Sequence, residues 1–116
     1  MSRSLLFVVT SDPRSSARPA EAIRIAAGVG TWKQVEILLS LHGAAALLLS
    51  ESPEELVDAD HFIQYLPIVR ELGGAVYVQK DSPFLSALGQ PACPFQELTD
   101  TELAGVAAKC DYVTRF

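Results

Sequence analysis

Apolar residues occur along this chain in blocks that alternate between strand-like and helix-like spacing. Leu5 to Thr10 (LLFVVT) is a continuous apolar, β-branched and aromatic run, the pattern of a strand covered on both faces. Ser11 to Pro19 (SDPRSSARP) is a polar turn, and Pro19 stands where the first turn of a helix tolerates proline. The helix predicted from Ala20 to about Val29 keeps Glu21, Arg24 and Gly28 on one narrow stripe, so the rest of its circumference should pack on a sheet. Val35 to Leu41 (VEILLSL) reads as a second strand ending at His42-Gly43. Ala44 to Leu49 (AAALLL) reads as a short buried helix.

Ser52-Pro53-Glu54-Glu55 carries the signals of a new helical turn, a capping-box pattern. Asp60 to Leu72 then predicts a longer helix with Phe62, Leu66 and Val69 on one side, Pro67 as a kink or late restart, and Gly73-Gly74 as its end. Ala75 to Val78 or Gln79 is the third strand, and Pro83 to Leu88 a short helix closed by Gly89. Pro91 and Pro94 restrict any strand in Gln90 to Leu98 to a short edge strand. Thr99-Asp100-Thr101-Glu102 is a capping box for a last helix that should bury Leu103, Val106, Ala107 and Cys110, and Asp111 to Phe116 (DYVTRF) closes as a strand. Regular alternation of strand and helix predicts a three-layer α/β/α domain with a mainly parallel sheet of about five strands, flavodoxin-like in general architecture.

At 116 residues the chain forms one domain, residues 1–116, large enough to bury a core without a disulfide or metal framework. Its hydrophobic fraction of 49% sits at the apolar end for a soluble domain, which predicts heavily buried helices together with an oligomer interface. The net charge of −5, with nine scattered Lys and Arg, argues against a nucleic-acid partner. The mostly apolar stretch Val35 to Leu49 is interrupted by polar residues and is too short to span a bilayer. With no signal-peptide pattern at Met1 to Thr10, the expected location is the cytoplasm. Cys93 and Cys110 have neither zinc-ligand nor CxxC spacing, so reduced thiols and no metal or cofactor are expected.

The order of segments resembles the DsrE/DsrF-like sulfur-relay superfamily, which includes the Tus sulfur-transfer subunits. The resemblance runs nearly end to end: the apolar first strand and alanine-rich helix, LSLHGAAAL, HFIQYLPIVRELGGAVYV, a short helix ending in glycine, and AKCDYVTRF. It implies a tendency to form trimers or hexamers. In family members that carry sulfur as a persulfide, the cysteine follows the third strand, and that position falls here at about Asp81, between Lys80 and Ser82. Family subunits without the active cysteine occur as partners of active ones. The resemblance therefore implies a homo-oligomeric accessory or small-ligand-binding protein, non-catalytic, with a sulfur-transfer protein as partner.

Several side chains are candidates for chemistry. Asp12, His42, Lys80, Asp81 and Ser82 should gather where strand tips meet helix starts, with Arg14 beside them in the first loop. Arg14, Arg18 and Lys80 would alternatively suit a small anion or metabolite, although the first loop lacks the glycines of a phosphate-binding loop. Ser82-Pro83 also reads as an ordinary helix start, Ser16 as a cap for the first helix, and His61 as a solvated or capping residue. Cys93, in the proline-rich ACPF segment, is either a relocated persulfide carrier or an apolar filler beside Phe95. Cys110 falls on the apolar face of its helix, where packing is expected.

Overall fold

The computed structural model describes residues 3–33, 35–72 and 74–116. Its strands are β1 (Ser4–Val9), β2 (Glu36–Leu41), β3 (Ala75–Gln79), β4 (Gln96–Leu98) and β5 (Tyr112–Arg115). All five pair in parallel in one sheet, in the order β4-β3-β2-β1-β5. Strands β1 and β2 lie inside this sheet and carry the continuous apolar runs, while β4, preceded by Pro91 and Pro94, is an edge strand of three residues.

Helices α1 (Arg18–Lys33) and α2 (Ala59–Glu71) cover one face of the sheet together with a 3-10 helix, Gly43–Leu49. This core holds Phe7 and Val9 of β1, Ile37, Leu39 and Leu41 of β2, and Val76 and Val78 of β3. In α1 the buried positions Ala20, Ala22, Ala26, Ala27 and Gly30 are small, so the helix approaches the sheet closely, while Glu21, Arg24 and Gly28 form its exposed stripe. Helix α1 starts earlier and ends later than its apolar spacing predicts. Phe62, Leu66 and Val69 are the buried positions of α2, which runs through Pro67 without interruption because the ring lies on its exposed side. The loss of one backbone hydrogen bond there is outweighed by burial of the opposite face.

Two predicted helical starts take a different form. Ser52 makes no side-chain cap, and Pro53–Glu55 is only a three-residue 3-10 turn. The chain turns extended at Leu56, and the Val57 amide donates instead to the Pro13 carbonyl at 2.9 Å, tying this segment to the first loop. The segment predicted as a helix from Pro83 to Leu88 narrows to a 3-10 turn at Leu85–Ala87, with Gly89 at φ 64° closing it. Gly73, the predicted end of the second long helix, lies outside the described residues.

Helix α3 (Asp100–Lys109) packs on the other face. Its capping box is complete: the Glu102 amide donates to Thr99 Oγ1 at 3.2 Å, and the Thr99 amide donates to Glu102 Oε1 at 3.0 Å. Leu103, Val106, Ala107 and Cys110 meet Leu6, Val8 and Leu38, but the helix buries no residue completely. The second face is thus the thinner one, and a groove runs beside α3.

Candidate functional site

The carboxyl ends of parallel strands converge at one edge of this sheet, and helix starts and turns face them. At the tip of β1, the Asp12 carboxylate accepts from the Arg14 amide and from its guanidinium, the latter at 2.8 to 3.1 Å. These hydrogen bonds, foremost that from the Arg14 side chain, hold the Asp12 carboxyl below its ordinary pKa. The pair is largely solvated and of little weight for stability. Its guanidinium also lies 5.6 Å from the centroid of the Phe84 ring, which brings the first loop against the turn after β3. Ser16 Oγ accepts from the Arg18 amide at 3.2 Å, so the first loop closes on the start of α1.

In the turn after β3, Lys80 and Asp81 are exposed and Ser82 is buried. Asp81 adopts a left-handed φ of 60°, a conformation that costs most side chains energy and that aspartate tolerates better than others. Its amide donates to Glu97 Oε1 at 3.4 Å. Ser82 Oγ accepts from the Phe84 amide at 3.3 Å, so the hydroxyl is engaged in the turn itself.

His42 follows β2 and faces the other side. Strand parity puts it with Leu38 and Ser40, on the face that α3 covers. There it lines an open cavity of about 660 Å³ with Leu6, Val8, Gln79, Asp100, Arg115 and the alanine-rich flank of α3. Asp12, Arg14, Lys80, Asp81 and Ser82 contribute nothing to that cavity's walls. The expected cluster is therefore split by the sheet: the Asp12–Arg14 pair meets the β3 turn through Phe84, while His42 turns away toward Gln79 and Arg115. His42 Nε2 is shielded from solvent and has no hydrogen-bond partner. His61 is half-buried, its Nδ1 equally unpartnered, and its ring stands edge-on to Tyr65.

Neither thiol lies at the β3 turn. Cys93 is only 3% exposed, and burial pushes its thiol above the ordinary cysteine pKa against the weaker pull of the Arg70 charge. Cys110 is half-buried at the end of α3, beside Ser4 and Glu36, which begin β1 and β2 at the opposite edge of the sheet. Burial raises its pKa too, although a hydrogen bond with Ser4 acts in the opposite sense. Among the described residues, no group of three or more His, Cys, Asp and Glu is arranged to hold a metal ion, and no helix is long and apolar enough to cross a membrane.

Five parallel strands, two helices on one face and one on the other define a DsrE/DsrF-like α/β fold. The particular likeness is to the crystal structure of the YchN protein from E. coli, with a TM-score of 0.78, 19% sequence identity, and coverage of 100% of each chain. No protein-family model matches the chain, and no curated protein sequence matches it.

Proposed function

We propose that this chain is an accessory or small-ligand-binding protein on the DsrE-like fold, with no persulfide chemistry of its own. The observation that carries this reading is the placement of the two thiols: Cys93 is buried, Cys110 is half-buried at the far edge of the sheet, and burial raises both pKa values. A sulfur carrier needs an accessible thiolate, which a buried, high-pKa thiol supplies poorly. The turn where such a thiol would stand holds Lys80, Asp81 and Ser82 instead, polar groups suited to binding. Ligand contacts are assigned to the strand tips: Asp12, Arg14, Lys80, Asp81 and Ser82 on one side, His42 on the other. A sulfur-transfer protein is the proposed partner class, and the working location is the cytoplasm.

Intact-mass analysis after incubation of the native protein with a persulfide donor tests this. No mass gain of one sulfur atom is expected on the folded chain, whereas both cysteines should be modified once it is unfolded in denaturant. A sulfur adduct on native protein that disappears in Cys93→Ser would make the chain a carrier and end the accessory reading.

The proposal includes self-association. Ile63, Leu72, Tyr112 and Val113 leave between 41% and 56% of their surfaces exposed, apolar surface that a second copy of the chain would cover. Sedimentation equilibrium is expected to give a trimer or hexamer; a monomer throughout the micromolar range would remove this part of the proposal.

A further inference from the structure

The two edges of the sheet are built differently. At one, β4 has only three residues, Pro91 and Pro94 precede it, and Glu97 stands at its centre. Short length, proline and charge are the ordinary means of keeping an edge strand from pairing further. At the other edge β5 reads YVTR, an aromatic and two β-branched residues in succession, with neither proline nor lysine. Tyr112 and Val113 leave 53% and 46% of their surfaces exposed, so this edge is open.

The Phe116 amide donates to the Val8 carbonyl and the Phe116 carbonyl accepts from the Thr10 amide, both at 2.9 Å. Backbone groups of successive strand residues point alternately to the two sides. Tyr112 and Thr114 therefore face β1 as Phe116 does, and Val113 and Arg115 face outward. The Arg115 carbonyl agrees with this, since it accepts from Arg18 Nη2 at 3.3 Å.

An antiparallel pairing of β5 with β5 of a second copy, about a two-fold axis through Val113, is self-complementary. Each Val113 exchanges its outward amide and carbonyl with those of its counterpart. Each Tyr112 falls opposite Thr114 of the other copy, an aromatic and β-branched pair on the α1 face. Asp111 and Arg115 stand two residues to either side of Val113, so each arginine comes level with the other copy's aspartate and opposite charges meet twice. Among the described residues the Arg115 guanidinium and Asp111 Oδ1 make no hydrogen bond or ion pair, whereas Asp111 Oδ2 accepts from the Ser4 amide at 2.8 Å.

The register is fixed by what is already engaged. Its outermost backbone groups have partners within each chain: the Asp111 amide donates to the Ser4 carbonyl at 3.1 Å, and the Arg115 carbonyl holds Arg18. An axis moved to Thr114 would set Arg115 opposite Val113 and require its occupied carbonyl to accept again.

We infer that β5 is the contact by which two copies of this chain join, antiparallel and centred on Val113, into one continuous sheet. The inference rests on the proposed self-association and names its surface. Main-chain hydrogen bonds supply the affinity, and the Asp111 and Arg115 pairs set the register. A two-fold contact joins copies in pairs, so a hexamer can contain it and a trimer cannot.

The test uses the full chain and the self-opposition of residue 113, an exposed position. Val113→Lys and Val113→Glu are followed by sedimentation equilibrium, each alone and in equimolar mixture, with far-UV circular dichroism reporting the fold. Each variant alone should associate more weakly than the unmodified chain by about tenfold or more, because two like charges face each other across the axis. The mixture should recover the original assembly, since lysine then opposes glutamate. Hydrogen exchange of the unmodified chain needs no substitution: the Val113 amide should become protected as the protein associates.

Variants that keep the original assembly size, a mixture no larger than its components, or a Val113 amide unprotected in the associated protein would each overturn the β5 contact. A trimer for the unmodified chain would overturn it as well while leaving self-association intact. A monomer throughout the micromolar range would instead remove the self-association on which the contact rests, so the two readings fail separately.

Discussion

Replacing Phe7 by alanine is expected to destabilise the protein by about 3–5 kcal/mol, the range for removing a fully buried aromatic side chain. Phe7 is 1% exposed on β1, which lies between β2 and β5. Its ring stacks on Phe116 with centroids 5.8 Å apart, and Arg18 lies over the outer side of Phe116, 5.6 Å from its centroid. Truncation would remove dispersion contacts with the α1 side of the core and leave Phe116 without the ring on which it is seated. Small domains are stable by about 5–15 kcal/mol, so this one change consumes a large share of the total. Urea unfolding should show a lower midpoint at an unchanged slope. A loss below about 1 kcal/mol would mean that the site collapses around the gap and that Phe7 is not packed as described.

Two identical substitutions should have opposite signs. A methyl group on Gly74 would lie 2.8 Å from the Ile37 carbonyl oxygen and 3.4 Å from that of Val69. Both atoms are backbone, one on β2 and one in α2, so neither can rotate aside. Gly74→Ala is expected to cost about 1–3 kcal/mol as overpacking, partly offset by the smaller entropy of the unfolded alanine chain. Gly105, in α3, has nothing within 4 Å of the same added atom. Gly105→Ala should stabilise by up to about 1 kcal/mol through helix propensity alone. Thermal unfolding of both variants checks the contrast, and a stabilised Gly74→Ala would refute the close approach of α2 and β2 at this point.

Much of the fold was legible because its signals are local. LLFVVT could only be a doubly covered strand, the Glu21, Arg24 and Gly28 stripe defined the exposed side of α1, and Thr99 with Glu102 marked the start of α3. Less legible were places where tertiary contacts decide between near-equal local forms. Ala44 to Leu49 satisfies α and 3-10 spacing alike, and Ser52 to Glu55 had every mark of a helix start except a following apolar face to bury. At the site, the tips of the strands were foreseen as one cluster because all of them end at one edge. Which face each tip serves depends on strand parity, and that parity sends His42 to the α3 side. Gln79 and Arg115 were missed there for the same reason. Period-two spacing in DYVTRF, with Val113 and Arg115 two apart, is the signal that links Arg115 to the cavity beside α3.

The pairing of β1 with β5 has a consequence for how the chain is made. Residues 4–9 leave the ribosome before the other strands of this sheet, and their partner strand β5 is synthesised roughly one hundred residues later. Until Tyr112–Arg115 emerge, the β5 side of β1 is an unpaired row of backbone groups flanked by Leu6 and Phe7, a template for any passing extended segment. The Phe116 carbonyl, which accepts from the Thr10 and Ser11 amides, then fastens the last strand beside the first. A nascent chain cut short before residue 112 would therefore carry an open apolar edge, and completing this sheet is a long-range event that waits on β5.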